Sequence, residues 1–564
     1  MNAPLTLTQL CLAGVVMIPL LTSAVSVLLG SRARRVLGVV TAAAVLGLGV
    51  PLVAQVTAGQ TVELALGGFT APLGITLRAD GLSALFLAMT AVVGAVVTCY
   101  AAARPDSTGL RLVGKDTWRA GQTGFWPLWL GCWAGLNAIF VSADLFNTYV
   151  GLELVGLSAV ALVALGGRES WSSALRYLFI TVLGSLLFLV GVALIYSVTG
   201  TLDLFDAGAA IAELARAADA TGRTGGTGGT AGAGGIGGAD PSAGDPAGTG
   251  PADLSPVVLA MILMSLGLAL KMALVPLHRW LIPAHSGAPS AVSPLLSGLV
   301  IKASLFVLLR CWLWVAGPLP ELTVLAWLLA GMGAAAILIG SVLALRQTHL
   351  KPLVAYSTVA QVGYWFLLLP LILDPSASAM EARPGTTLED GSVLAGALSG
   401  TVTLALGHGL AKASLFLSAG HLKDLYGTDE IAVLRGAGRE HPMLILSMGL
   451  SAVGLIGLPL SLGFSGKWLL ATSAVASGHY WMLPVLVIGT LLSAAYLVKA
   501  VAPLLVMSED DDSAVSLPEA QTTAGSPALT GRAQLAPFVL GSLTVLTGFL
   551  GVWFTGVLEV GAPW

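Results

Sequence analysis

Roughly fourteen stretches of about 20 mainly apolar residues succeed one another along this chain, and a stretch of that length is what a helix needs to cross a hydrocarbon core. They lie near residues 9–29, 36–56, 80–103, 124–142, 144–166, 172–199, 255–275, 289–315, 321–345, 351–373, 396–420, 442–474, 481–507 and 535–557. Only 10% of the 564 residues are charged and 56% are hydrophobic, whereas a soluble domain carries about 25% charge. The expected fold is all-α and polytopic, with about 14 transmembrane helices in a lipid bilayer.

Basic residues in short loops fix the expected orientation. With the turn holding Arg32, Arg34 and Arg35 in the cytoplasm, Arg104, Arg111, Lys115, Arg119, Arg168, Arg279, Arg346, Lys351, Lys423, Arg435 and Arg439 alternate to the same side, while the opposite loops hold only Arg78, Arg216, Arg223 and Arg383. An even number of spans leaves both termini outside a plasma membrane. The first apolar segment lacks a basic leader and a small-residue cleavage site, so it reads as a retained helix. Cys11, Cys99, Cys132 and Cys311 stand singly in apolar stretches without metal-ligand spacing, so they read as buried small hydrophobes, with no metal, cluster or disulfide. Tryptophans near span ends read as interfacial belts.

Thr221 to Gly250 is built from Gly, Ala, Thr and a few Asp and Pro, too little apolar surface to fold, and reads as a disordered external loop. No strand or Lys-Ser/Thr follows it, so it is not a phosphate-binding motif, and nothing points to nucleic acid. Ser508 to Arg532 reads as a second polar loop. The seventh span is interrupted by Pro276 after Lys271, and the twelfth by Gly454, Gly457, Pro459, Gly463 and Gly466 around Lys467. Lys302 in span eight and Lys499 in span thirteen repeat the same five-span separation. Five is odd, so the halves would be inverted repeats: an N-terminal part (1–123), helices 4–8 (124–315), helices 9–13 (321–507) and a final loop and helix (508–564). Broken helices at matching positions free backbone groups that must face protein or water, and in a transporter they point to an ion site; close helix packing is the plainer reading of each break alone.

Ammonium groups in lipid are costly enough to be kept for work. Lys271, Lys302, Lys412 and Lys467 lie within apolar stretches, and Glu153 is the matching acid, about 13 Å along the helix from an interfacial Asp144. A buried carboxylate and a buried ammonium keep each other charged when paired, so Glu153 and Lys271 are expected as partners, either a static bridge or a switch that passes a proton to Lys302. His408 and Lys412, four residues apart, share one helix face, and an imidazole there can relay protons near physiological pH. His278, His285 and Lys499 are candidates for entry and exit of this path, although Lys499 and Arg310 lie near span ends, where long side chains snorkel.

These residues resemble the antiporter-like subunits shared by respiratory complex I, Mrp-type cation/proton antiporters and membrane-bound hydrogenases. The resemblance runs through Lys271-Met-Ala-Leu-Val-Pro276-Leu-His278-Arg-Trp280, Ala288-Pro289-Ser-Ala-Val-Ser293, Leu296-Ser-Gly-Leu-Val-Ile-Lys302, Leu350-Lys351-Pro-Leu-Val-Ala-Tyr356-Ser357, His408-Gly-Leu-Ala-Lys412 and Gly463-Phe-Ser-Gly466-Lys467. It implies fourteen helices with two inverted five-helix repeats and broken helices 7 and 12, and roles in proton transfer for Glu153, Lys271, Lys302, His408, Lys412 and Lys467. Lysine at 467 is most similar to the Mrp D-type subunit or its hydrogenase-arm relatives. Trp280-Leu281-Ile282-Pro283-Ala284 departs from a family pattern with an acid at that mouth. The implied function is a proton-translocating, antiporter-like subunit among other hydrophobic subunits, moving protons alone or against Na+ or K+, without a cofactor and without redox chemistry of its own. The alternative is a stand-alone carrier of a small solute. Bis-histidine haem needs paired histidines inside spans, and only His408 is so placed.

Overall fold

The computed structural model describes residues 5–69, 74–109, 117–225, 253–374, 393–506 and 527–563. Twelve of the described helices are long and apolar enough to cross a membrane, and two shorter apolar helices, Ser255–Lys271 and Pro442–Ile456, fall where the sequence carries its breaks. In chain order the helices are α1 (Leu7–Leu28), α2 (Ser31–Thr57), α3 (Gly81–Ala103), α4 (Thr117–Val141), α5 (Leu145–Ala164), α6 (Arg168–Thr199), α7 (Leu204–Gly225), α8 (Ser255–Lys271) and α9 (Leu281–Gly287). They continue as α10 (Ser293–Ala316), α11 (Thr323–Leu345), α12 (Leu350–Phe366), α13 (Val393–Tyr426), α14 (Pro442–Ile456), α15 (Leu462–Ala476), α16 (Met482–Leu505), α17 (Pro527–Leu546) and α18 (Gly551–Leu558).

Three sequence expectations change. Thr221–Gly225 is the end of α7 rather than loop, and the rest of the glycine-rich segment lies outside the described residues, as do Arg111, Lys115 and Arg383. The polar loop ends earlier than Arg532, because α17 already starts at Pro527, a residue whose fixed φ and missing N–H suit a first helical turn; 508–526 lie outside the described residues. Between α2 and α3 sits a two-stranded antiparallel hairpin, β1 (Val62–Ala65) and β2 (Thr76–Ala79), with Val62 opposite Ala79.

Helix α13 forms the axis of the molecule: its apolar window is entirely buried, against 33% for α1 and 28% for α2 at the periphery. Around the axis, α6 packs on α8, α11 on α12 and α13 on α15. Paired glycines close these crossings. A Cβ on Gly267 would come 2.3 Å from the Gly184 carbonyl oxygen, one on Gly363 would come 2.2 Å from Gly333 O, and one on Gly400 would come 2.8 Å from Gly466 O. Without side chains between them the backbones meet directly, which is how helices associate where lipid offers no hydrophobic drive.

Both breaks are real interruptions. After α8 the chain turns through Ala273 at φ 56° before a short turn at Leu277–Trp280 and α9; between α14 and α15 it turns through Gly457 at φ 79° and Leu460 at φ 73°. A non-glycine residue in the left-handed region costs roughly 1–2 kcal/mol, so each break holds strain that its surroundings must support. Of the cysteines, Cys11, Cys132 and Cys311 are buried as expected, but Cys99 is exposed on the outer face of α3. Trp129, Trp133, Trp312 and Trp365 are fully buried rather than interfacial.

Candidate functional site

A broken helix leaves carbonyls without N–H partners, and in a membrane these must be met from within the protein. At the first break Trp280 Nε1 donates to Leu270 O at 3.1 Å, with its ring stacked on Tyr177 at 4.5 Å. At the second, Gln361 Nε2 donates to Leu455 O at 3.2 Å and Lys467 Nζ to Ile456 O at 2.9 Å. Lys467 is therefore fixed by the break itself. Its second bond goes to Thr490 Oγ1 at 2.9 Å, and its ammonium lies 4.9 Å from the centre of the Tyr364 ring, a cation–π distance. A cavity of about 270 Å³ bordered by Gly457, Phe464, Trp468 and Thr490 adjoins it.

Lys271 ends α8, 8% exposed. Its Nζ donates to Thr181 Oγ1 at 3.1 Å and to Leu152 O at 3.4 Å. The expected direct pair with Glu153 is not formed: no ion pair among the described residues joins them, and Glu153 Oε1 is buried without a hydrogen-bond partner. The reason is local. Lys271 reaches the carbonyl one residue before Glu153, and a hydroxyl and a carbonyl take the place of the carboxylate, although Glu153 stays within electrostatic reach. Asp144 caps the start of α5, accepting from Asn147 N at 2.5 Å.

Lys302 and His408 come together, which spacing alone did not foretell. Lys302 Nζ lies 2.6 Å from His408 Nδ1 and donates to Ser297 O at 2.5 Å; both side chains are buried, Lys302 completely. The Trp365 ring stands over this contact, 5.6 Å from the ammonium and edge-on to the imidazole at 5.3 Å. His408 Nε2 is buried and without a partner. One turn on, Lys412 Nζ donates to Val354 O at 2.9 Å and to the Ser357 hydroxyl. When Lys302 is an ammonium, Nδ1 is the acceptor and the imidazole proton sits on Nε2; when it is a neutral amine the roles can reverse, so the pair can pass a proton either way.

Of the entry and exit candidates, His285 is 1% exposed and stacks on Phe416 at 5.2 Å. His278 sits beside Tyr356 with ring centres 6.4 Å apart. Lys499 is far from the others in kind: part-buried, it donates to Leu345 O at 2.5 Å. Gln361, Tyr364 and Trp365 on α12 and the hydroxyls of Thr181 and Thr490 were not anticipated, because their type is common in apolar helices and only the fold brings them to the lysines. Among the described residues no group of three or more His, Cys, Asp or Glu could hold a metal ion.

The family described as NADH:quinone oxidoreductase/Mrp antiporter, TM matches residues 142–380 and 391–493. The chain belongs to this family. Its matched region holds every residue of the lysine row. A curated relative, the N subunit of NADH-quinone oxidoreductase from Desulforudis audaxviator, is 32% identical over 82% of this chain and 79% of its own length. The D-type subunit of the Na(+)/H(+) antiporter from Alkalihalophilus pseudofirmus is 28% identical over 75% and 71%. Among solved structures, a chain of an Mrp complex from a Dietzia species superposes with a TM-score of 0.75 at 22% identity, over 99% of this chain and 97% of that one. A chain of respiratory complex I from Thermus thermophilus gives 0.66 at 21% identity, over 98% and 99%. These likenesses bear on the fold. The protein is thus a multi-pass, antiporter-like membrane subunit of the complex I, Mrp and hydrogenase type.

Proposed function

We propose that the chain carries protons along a row running from Glu153 and Lys271 through Lys302, His408 and Lys412 to Lys467, as one hydrophobic subunit of a multisubunit complex in the plasma membrane. The observation that carries the reading is the 2.6 Å contact between Lys302 and His408, since it joins helices 106 residues apart in sequence through two groups able to exchange a proton. Lysines held by carbonyls and hydroxyls rather than carboxylates suit transfer better than storage: a carboxylate within contact would hold each ammonium charged. The row favours no particular metal cation, so exchange for Na+ or K+ is an addition to proton movement and not its basis.

Two inverted halves follow from the same reading, with α4–α10 in one and α11–α16 in the other. Support comes from the matching breaks, each with a non-glycine residue at positive φ and a lysine whose ammonium meets a threonine hydroxyl and a backbone carbonyl. The stand-alone solute carrier finds no support in the comparisons, and nothing in such a carrier needs the lysine row.

The test is proton flux in liposomes holding the complex purified intact from its native membrane. Lys302→Ala and Lys271→Ala are expected to lower flux about tenfold or more, the loss typical of a removed acid–base group, with co-purifying subunits unchanged. Flux indifferent to both changes would sink the relay. Cluster-bearing partners in the same preparation would make the complex a redox pump, and small hydrophobic partners alone an Mrp-type antiporter.

A further inference from the structure

Lys499 stands apart from the proton row, and its surroundings are of another kind. A cavity of about 560 Å³ opens beside it, within the roughly 300–1,000 Å³ range of small-ligand sites. It lies on the outer surface, where Val498 and Val506 on its wall are 58% and 55% exposed. Three helix ends meet there: α11 finishes at Leu345, α12 starts at Leu350 and α16 finishes at Leu505. Residues 427–441 turn back between them. Ile431 N donates to Thr348 O at 2.9 Å on one side, and Gly436 N to Pro503 O at 3.2 Å and Gly438 N to Leu504 O at 2.9 Å on the other. Backbone bonds thus fix the walls.

The α16 wall is apolar. Val498 and Ala502 lie four residues apart on one helix face, and Leu491, 66% exposed, continues that face two turns deeper into the bilayer. Lys499, Arg435 and Glu430 border the same cavity. Lys499 sits six residues before the end of α16, and its ammonium donates to Leu345 O at 2.5 Å, so the side chain snorkels up to the level where α11 ends. That bond uses one of three donors. Arg435 is exposed and Glu430 half-buried, and among the described residues neither takes part in an ion pair. Two cations and one carboxylate therefore stand at the head of an apolar track.

We propose that this cavity binds one phospholipid with a primary-amine headgroup, of the phosphatidylethanolamine class. Its phosphate meets Lys499 and Arg435, its ammonium meets Glu430, and one acyl chain follows Val498 and Leu491. Basic pockets between membrane helices take lipid headgroups, and a phosphate between two cations forms charge-assisted bonds. Glu430 decides the kind of lipid. A purely anionic headgroup would set a like charge against this carboxylate, and a quaternary ammonium has no N–H to give it; a primary ammonium beside the phosphate answers all three groups. The bound lipid ties the turn at 427–441 to the ends of α11 and α16. None of this depends on the relay reading.

The experiment uses the intact complex and a phosphatidylethanolamine with a photoactivatable group in one acyl chain, adducts being located by mass spectrometry. An adduct is expected within residues 487–506 of this subunit, competed by unlabelled phosphatidylethanolamine and about tenfold less well by phosphatidylcholine or phosphatidylglycerol. Arg435→Gln removes an exposed charge and should lower this adduct about three- to tenfold, with adducts elsewhere on the subunit unchanged. Glu430→Gln should keep the adduct and lose the preference over phosphatidylglycerol. No adduct on α16 in the intact complex would mean that another subunit covers the face, and equal competition by all three lipids would mean an ordinary boundary lipid. Stronger competition by phosphatidylglycerol would mean an anionic-lipid site. Each of these results, or an adduct indifferent to both substitutions, overturns the proposal. Should Arg435→Gln fail to assemble, the competition series on the parent complex decides alone.

Discussion

Arg310 lies near the end of α10, where a long cation was expected to snorkel to the interface. It does the opposite. Its guanidinium meets Asp80 with two bonds of 2.6 and 2.7 Å and Ser83 Oγ at 2.9 Å, and both side chains are almost fully buried. Phe306 and Trp314 lie 5.0 and 4.8 Å from its charged carbon. A planar fork matched to a carboxylate is a role that lysine could not fill. Removing one partner leaves the other charge buried alone, so Asp80→Ala or Arg310→Met should each lower stability by about 3–5 kcal/mol, while the double change should recover most of the loss. Thermal unfolding of the four proteins in detergent reads this directly; equal losses in single and double variants would show that the pair is not coupled. The contrast with the lysine row explains what was legible at this scale. Charges inside apolar stretches stand out in any sequence, but whether such a charge pairs, snorkels or relays depends on a partner 230 residues away, as for Arg310 and Asp80, or 106 away, as for Lys302 and His408.

At the level of elements, the apolar spans and both breaks could be read from residue order, because length, proline and glycine act locally. The hairpin and α7 could not, since the strands of the hairpin are only four residues long and the 22 residues of α7 carry too many charged and small side chains to read as a span. Two predictions belong here. The Gly184–Gly267 crossing of α6 and α8 has no room for a side chain: Gly267→Val should force the helices apart and cost several kcal/mol, as overpacking does at its upper end. Gly331→Val on α11, where nothing lies within 4 Å, should be near neutral. Yield and melting temperature of the two variants make the comparison, and equal behaviour would show that the crossing is loose.

The second concerns the seam that leads into α7, where Asp144 and Asp203 face each other in an isolated antiparallel bridge. Burial pushes both carboxyls above the ordinary range, and the charge of Asp203 adds to the rise at Asp144. A folded-state pKa raised above the unfolded value contributes stability that is complete at low pH and lost as pH climbs through the folded value. At neutral pH the pair is therefore a liability. Asp203→Asn keeps an oxygen for the Phe205 and Asp206 amides that Asp203 now caps at 2.9 and 3.1 Å, and removes one of two like charges. It should stabilise the protein by a few tenths to about 1 kcal/mol at pH 7, with the gain vanishing below about pH 4, where the parent carboxyls are also neutral. A gain that persists at low pH would point to the cap and not to the charge.

For the whole molecule, the start of α1 and the stretch after α18 lie on the face that holds the hairpin. Gln9 at the start of α1 donates to Glu63 O in the hairpin at 3.0 Å, and Gly81 N at the start of α3 donates to Val560 O, after α18, at 2.9 Å. Arg35 lies at the far end of α1 and α2, near Ala101, Pro105 and Thr108. An even number of crossings, as counted from the apolar stretches of the sequence, would give such an arrangement. Which face is cytoplasmic is a separate matter, for which the excess of arginine and lysine in the turns at the Arg35 end gives the expectation. A reporter placed after Val560 and a cysteine introduced at Arg35 should therefore fall on opposite sides, the first outside and the second in the cytoplasm. Impermeant labelling of intact cells checks both at once. Labelling of the two sites from the same side would contradict the fold, whereas opposite sides in reversed sense would leave the fold intact and overturn only the orientation read from the loop charges.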